Sequence, residues 1–247
     1  GAARRVCLTP VSRYDCPMCA STNPPPQLSV RDLTVRAGDG RTLLDVANFD
    51  VAPGEGVVVR GPSGAGKSTL LHVLAGVIPP SSGHVLWGET DLAGLHDQAR
   101  SAFRRETIGM VFQDHLLFDE LSAAGNAGLA AAYAPRAERA GIEHRAADLL
   151  ERFGVTSTGR RAARYSGGER QRIAVARALA TDPPVILADE PTASLDRATA
   201  DRLIDDLFTQ AVGQKTLIIA SHDPAIHARA GRLASVVDGK LRAAPRG

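Results

Sequence analysis

Residues 61–68 read Gly61-Pro62-Ser63-Gly64-Ala65-Gly66-Lys67-Ser68, matching G-x-x-x-x-G-K-[ST] at each fixed position. The flanks make the match a constraint on the fold. Gly56 to Arg60 (GVVVR) is a run of consecutive valines, as in a strand buried on both faces of a parallel sheet. Ser68 to Val77 (STLLHVLAGV) has helical spacing through Leu70, Leu71 and Leu74 and should stop near Gly76 and Pro79-Pro80. Taken alone, a Gly-rich turn with a surface lysine is an ordinary loop. Placed between a buried strand and a helix, it is a phosphate cradle. Glycines let the loop curl until its N–H groups converge on phosphate oxygens, and the helix N-terminus adds partial positive charge. Lys67 would supply a compact cation for β- and γ-phosphates, and Ser68 a hydroxyl ligand for Mg²⁺.

Strand and helix signals alternate along the rest of the chain. Leu28 to Val35 and Phe49 to Val51 read as partly exposed strands, with turns at Gly38-Asp39-Gly40 and Pro53-Gly54. Gly167 to Ala180 reads as an arginine-rich helix, and Val185–Ala188 and Thr216–Ala220 as buried strands. A final strand pair turns at Asp238-Gly239. Between Asp91 and Arg164 the pattern is mostly helical. The expected architecture is α/β: a mostly parallel sheet around the phosphate loop, a small N-terminal antiparallel part, and a helical insertion over roughly residues 92–165.

Two more segments carry chemistry. Val185-Ile186-Leu187-Ala188-Asp189-Glu190 is an apolar strand ending in two carboxylates. At a strand tip beside the phosphate loop, Asp189 can hold Mg²⁺ through its water shell, and Glu190 can face an attacking water. Two acids after a strand more often cap a helix or sit in solvent, so their weight comes from Lys67. Tyr165-Ser166-Gly167-Gly168-Glu169 opens a helix with a hydroxyl at the cap and two glycines in the first turn, a second anion-binding geometry. A chain with two such helix starts could bind two nucleotides, or one nucleotide together with a second copy of itself.

Gly61–Ser68, Gln113, Ser166–Glu169, Asp189–Glu190, Ser194-Leu195-Asp196 and His222 together resemble the Walker A, Q-loop, signature, Walker B, D-loop and H-loop motifs of ABC-type ATPases. They stand in that family's order over about residues 28–240. Glu169 with Arg170-Gln171-Arg172, and the run Leu187 to Thr192, look like the ATPases of lipoprotein release, of MacB-type exporters and of the FtsE division system. The resemblance implies an ATP-hydrolysing subunit on the cytoplasmic face of the inner membrane that drives a separate integral-membrane permease. The alternative it allows is a nucleotide-dependent switch or scaffold of the cell-division or phosphonate-pathway type. It implies a homodimer with ATP between one phosphate loop and the partner's signature. Lys67, Ser68 and Thr69 would hold phosphates and Mg²⁺, as would the loop Gly61–Gly66. Gln113 would contact Mg²⁺ or water, and Ser166, Gly167 and Gly168 would grip the γ-phosphate in trans. Asp189 would position Mg²⁺, Glu190 act as base, His222 hold γ-phosphate and water, and Asp196 link the two sites.

Composition limits the alternatives. No run approaches the ~20 apolar residues of a membrane-spanning helix. With 29 basic and 27 acidic residues the net charge is +2, too balanced to imply nucleic-acid binding. Only Lys67, Lys215 and Lys240 are lysine, which singles out the one inside the phosphate loop. All three cysteines, Cys7, Cys16 and Cys19, fall in residues 1–27, read as a tail ending in Pro24-Pro25-Pro26. Cys16-Pro17-Met18-Cys19 has the spacing of half a zinc knuckle or of a redox pair; a closed zinc site needs four ligands, and Cys7 could be a third, but no nearby His or fourth Cys supplies the last. No apolar core follows Arg4-Arg5, so no secretory signal is expected. A body free of cysteine suits a reducing cytosol.

One departure from the resemblance concerns the base. The adenine-stacking aromatic expected near the end of the first strand falls at about Ala37, where Thr34-Val35-Arg36-Ala37-Gly38 has none. A lost stack removes about 1–3 kcal/mol, although Arg36 could lay its guanidinium over the base. ATP and GTP are therefore expected to bind with dissociation constants within tenfold of each other in a competition titration. A preference for ATP beyond tenfold would show that another residue stacks on the base.

Overall fold

The computed structural model describes residues 24–156, 158–211 and 214–243. The three cysteines lie outside the described residues. One ten-stranded sheet runs in the order β5-β4-β1-β2-β10-β9-β3-β8-β7-β6. Its antiparallel arm comprises β1 (Leu28–Arg36), β2 (Thr42–Val51), β4 (Ser82–Trp87) and β5 (Thr90–Asp91). Its parallel core comprises β9 (Arg232–Val237), β3 (Gly56–Arg60), β8 (Thr216–Ala220), β7 (Val185–Asp189) and β6 (Ile108–Val111). The core strands read as unbroken apolar runs because both faces are covered: every residue of β6, β7 and β8 is buried.

β10 (Lys240–Ala243) joins the two parts. Asp238 and Gly239 both have positive φ, 49° and 74°, as a two-residue hairpin turn requires. That turn returns β10 antiparallel to β9, and Lys240 pairs in parallel with Asp45 of β2. The antiparallel arm takes β4 and β5 from residues 82–91, after the phosphate loop, and β10 closes it onto the core.

Helix α1 (Lys67–Leu74) packs between arm and core, with Leu70, Leu71, Val73 and Leu74 buried in one cluster with Trp87 and with Val57 and Val59 of β3. The Trp87 indole N–H donates to the Leu74 carbonyl at 2.9 Å, satisfying an acceptor at the helix end. α1 begins at Lys67, one residue earlier than its apolar spacing implied. It ends at Leu74 rather than Val77, because Gly76 turns left-handed (φ 64°). Helix α2 (Asp97–Thr107) adds Phe103 to the first cluster, and on the other face of the core α3 (Ala123–Ala127), α4 (Arg136–Arg152), α5 (Gly167–Leu179) and α6 (Arg197–Ala211) cover a second apolar cluster.

Three sequence expectations change. The second strand runs over ten residues, Thr42–Val51, rather than Phe49–Val51. β4 is a strand that the sequence of Ser82–Trp87 does not signal. β6 lies inside the segment expected to be mostly helical, yet it pairs with β7 as an edge of the main sheet. At four residues (IGMV), β6 is too short to show a period.

Replacing Trp87 by Ala should cost about 3–5 kcal/mol, the range for emptying a large buried aromatic site. A two-state denaturant titration would measure the loss. A cost under 1 kcal/mol would mean that the arm and α1 do not rely on this packing.

Candidate nucleotide site

Four loops meet at the C-terminal edge of the parallel core, where open α/β sheets bind ligands. The register explains the meeting. Val59 pairs with Ala220, Ala220 with Asp189, and Ala188 with Val111. The chain therefore leaves β3 into Gly61, β8 into Ser221-His222, β7 into Glu190 and β6 into Phe112-Gln113, all from one edge.

The phosphate loop is shaped by close approach. A Cβ at Gly61 would sit 2.2 Å from the Val236 carbonyl oxygen of β9, so no side chain fits there. Gly66 caps α1 in the left-handed region (φ 107°), with its Cα hydrogens facing the Leu43 carbonyl. Pro62, Ser63 and Gly64 form the open rim, and Ala65 is buried. The Lys67 ammonium folds back over the loop and donates to the carbonyls of Gly61 (2.9 Å) and Pro62 (3.1 Å). Lys67 is only 9% exposed, and its compact cation sits where an incoming phosphate chain would compete with those carbonyls.

Asp189 ends β7 at 2% exposure, and its Oδ1 has no hydrogen-bond partner. Burial pushes its carboxyl above the ordinary carboxylate range, against the Ser68 hydroxyl and the Lys67 charge, which favour ionisation; Glu190 adds to the upward push. A buried, under-satisfied carboxylate beside a serine hydroxyl is a donor set of hard oxygens, and it fits Mg²⁺.

Glu190 follows in the left-handed region (φ 45°), an uncommon conformation for a glutamate, pinned by its N–H to the Ala220 carbonyl at 2.9 Å. Both carboxylate oxygens are engaged. Ser221 Oγ donates to Oε2 at 3.1 Å, and His222 Nδ1 meets Oε1 at 2.8 Å. Glu190 is buried (8% exposed) while the His222 side chain is 74% exposed, so this pair runs from the interior to the surface. Gln113 is exposed just beyond β6, and Thr69 lies half-buried in the first turn of α1.

The remaining residues form a separate group. Ser166 caps α5 through a capping box: its Oγ accepts from the Glu169 N–H (3.3 Å), and the Glu169 carboxylate accepts from the Ser166 N–H (2.8 Å). That N–H is the largest influence and, with the Ser166 hydroxyl and the Arg160 guanidinium, holds the Glu169 carboxyl below its usual range despite the opposing effect of burial. Gly167 and Gly168 pack on Ser194 and Leu195, so the helix start rests on the segment leading to Asp196. Asp196 accepts from the Thr199 N–H at 3.1 Å at the start of α6. Among the described residues, no hydrogen bond or ion pair joins Ser166, Gly167, Gly168 or Asp196 to Lys67, Asp189, Glu190 or His222.

Three partners escaped the sequence reading. Ser221 holds Glu190, and only the sheet register reveals it. The capping box at Ser166-x-x-Glu169 was legible from its spacing. Arg197 grips Asp223 with two bonds (3.0 and 3.1 Å) and also bonds Asp201, tying the start of α6 to the loop that carries His222. No sequence spacing signals that long-range pair.

The family model for ABC transporters matches residues 44–193. The chain belongs to the ABC transporter family of ATP-binding cassettes. It is 41% identical over 209 residues to the lipoprotein-releasing system ATP-binding protein LolD of Granulibacter bethesdensis, covering 83% of this chain and 91% of LolD. It is 41% identical over 211 residues to the macrolide export ATP-binding/permease protein MacB 1/2 of Paracoccus denitrificans, of whose length it spans only 31%. The ATP-binding cassette MJ0796, solved as a dimer bound to ADP and Pi in a post-hydrolysis state, superposes with a TM-score of 0.81 at 30% identity, covering 89% of this chain and 99% of MJ0796. This ABC ATPase thus has the α/β cassette fold expected of it. No helix among the described residues is long and apolar enough to cross a membrane.

Asp189→Asn gives the burial argument a test. With its folded pKa raised, Asp189 favours the fold when protonated, and that contribution is lost as pH rises through the folded pKa. The amide should therefore stabilise the nucleotide-free ABC ATPase at pH 7 by about 1 kcal/mol, or ~2–4 °C in melting temperature. The gain should vanish below the ordinary carboxylate range. A variant that melts lower than wild type at pH 7 would contradict a carboxylate whose charge is disfavoured by burial.

Proposed function

We propose that this ABC ATPase binds ATP with Mg²⁺, pairs with a second copy of itself, and hydrolyses the nucleotide to drive a separate integral-membrane permease from the cytoplasmic face of the inner membrane. The observation that carries the reading is the separation of the site into two groups. Lys67, Asp189, Glu190 and His222 share one sheet edge, while the Ser166–Gly168 helix start presents its N–H groups elsewhere on the same chain. A second copy facing the first brings the missing half to each nucleotide. The dimeric form of MJ0796 and its ADP and Pi state support that arrangement.

In this reading Gly61 to Ser68 cradle the phosphates, with Lys67 exchanging its two carbonyl partners for phosphate oxygens. Ser68, Asp189 and Gln113 would hold a Mg²⁺ ion, which would supply charge neutralisation for the phosphates. Glu190 accepts a proton from water as the water oxygen bonds to the γ-phosphorus and the bond to the β-bridging oxygen breaks, releasing ADP. His222, already bonded to Glu190, orients that carboxylate and the γ-phosphate. Asp196, beside the helix start that Ser166 caps, carries information between the two sites. The names of the LolD and MacB relatives favour lipoprotein or small-molecule extrusion as the driven process, over the alternative of a non-transport switch.

Glu190→Gln tests both chemistry and assembly. It should bind ATP with near wild-type affinity, lose at least 100-fold in turnover, and accumulate an ATP-bound dimer by light scattering. The trapped dimer should also retain an integral-membrane protein through purification in detergent. Turnover within threefold of wild type would remove Glu190 from the role of base. A monomer in saturating ATP would overturn the two-copy site.

A further inference from the structure

Gln113 leads into a turn that its own residues do not favour. His115 and Leu116 are consecutive non-glycine residues in the left-handed region, with φ of 60° and 48°. Such conformations persist only where surrounding structure over-determines them. Here the constraint comes from α5. Arg177 donates from one terminal nitrogen to the Leu116 carbonyl and from the other to the His115 carbonyl, both at 2.6 Å. The planar guanidinium fork matches two successive carbonyls in a way that an ammonium cannot. Arg177 forms no ion pair among the described residues, and burial lowers its affinity for its proton. Its charge is balanced by these carbonyl dipoles.

Further ties run the same way. Arg170, also on α5, bonds Asp119 at 2.8 Å. The buried Asn126 of α3 accepts from the Phe118 N–H (2.8 Å) and donates to the Phe118 carbonyl (2.9 Å). Gln171 is fully buried on α5, and its side-chain amide faces the His115 ring. Phe112, by contrast, packs with the core and meets the His72 ring of α1 at 5.8 Å. The chain therefore passes from the sheet to the helical layer across Gln113 and Asp114, and Arg177 holds the far side of that passage.

We propose that Arg177 is a positioning residue: it locks the turn after Gln113 to the helix that begins at Ser166, so that Gln113 and the Ser166–Gly168 helix start keep a fixed relation. Gly167 and Arg177 stand ten positions apart on α5 (177 − 167), a rise of ~15 Å. The proposal rests on the reading of Gln113 as a ligand of Mg²⁺ or water.

The test is a double-mutant cycle on the full chain with Arg177→Gln, Gln113→Ala and both together, following ATP turnover, binding of a fluorescent ATP analogue, and melting temperature. Arg177→Gln should lower kcat at least tenfold while changing nucleotide affinity less than threefold. Gln113→Ala should also lower kcat at least tenfold. In the Gln113→Ala background, Arg177→Gln should cost less than a further twofold, because its route to the chemistry is already gone. Full multiplication of the two losses would overturn the proposal alone. Wild-type turnover in Gln113→Ala would overturn the reading of Gln113, and the proposal with it, before Arg177 is touched. If Arg177→Gln fails to fold, Arg177→Lys completes the cycle. It keeps the charge without the fork and should show a smaller kcat loss that again disappears in the Gln113→Ala background. Undiminished kcat in Arg177→Lys would show that the fork is not needed.

Discussion

The phosphate loop can hold its shape only because Gly61 lies against the Val236 carbonyl with no room for a side chain. Val236 belongs to β9, the strand that turns at Asp238-Gly239 into β10. The Gly239 N–H donates to the Ala65 carbonyl (3.1 Å), and the Gly239 carbonyl accepts from Asp45 N–H of β2 (2.7 Å). A loop built from residues 61–68 is thus seated on a hairpin more than 170 residues later and on the antiparallel arm. The joining of arm and core by β10 is what makes the nucleotide site rigid on that side.

Burial governs the charges in the site. Lys67, Asp189 and Glu190 are all withdrawn from water, and each has a different solution. Lys67 borrows two loop carbonyls, Glu190 is held by Ser221 and His222, and Asp189 keeps one oxygen without a partner. The ordering suits a site completed by a ligand: the cation is held by weak, exchangeable acceptors, the carboxylate beside Ser68 is left under-satisfied, and the Glu190 carboxylate is oriented in advance.

Helix α5 contributes at both of its ends. Its first turn offers N–H groups capped by Ser166, and its last turns hold the segment after Gln113 through Arg177. A single helix therefore spans from the start capped by Ser166 to the segment that follows Gln113. Arg197 performs a comparable linkage on the surface, between the start of α6 and the loop of His222. The exposure of that pair makes it weak in free energy, though well placed geometrically.

The sequence alone determined the local chemistry. Consecutive valines, a glycine-rich turn, a serine cap and a strand ending in two acids are short-range signals, because they follow from backbone freedom, helix ends and two-faced burial within a few residues. They placed Ser166 at a helix cap and Asp189 and Glu190 at a strand end, put Lys67 within one residue of the helix it starts, and their order led to the family. β6 and β4 were not legible, since strands of four to six residues gain their identity from neighbours far away in the chain. The strand order decided that Ser221 would hold Glu190 and that a late hairpin would support the phosphate loop. Long-range side-chain geometry decided that Arg177 would reach the carbonyls after Gln113. Those facts depend on register and packing between segments tens of residues apart, which only the tertiary structure brings within hydrogen-bonding distance.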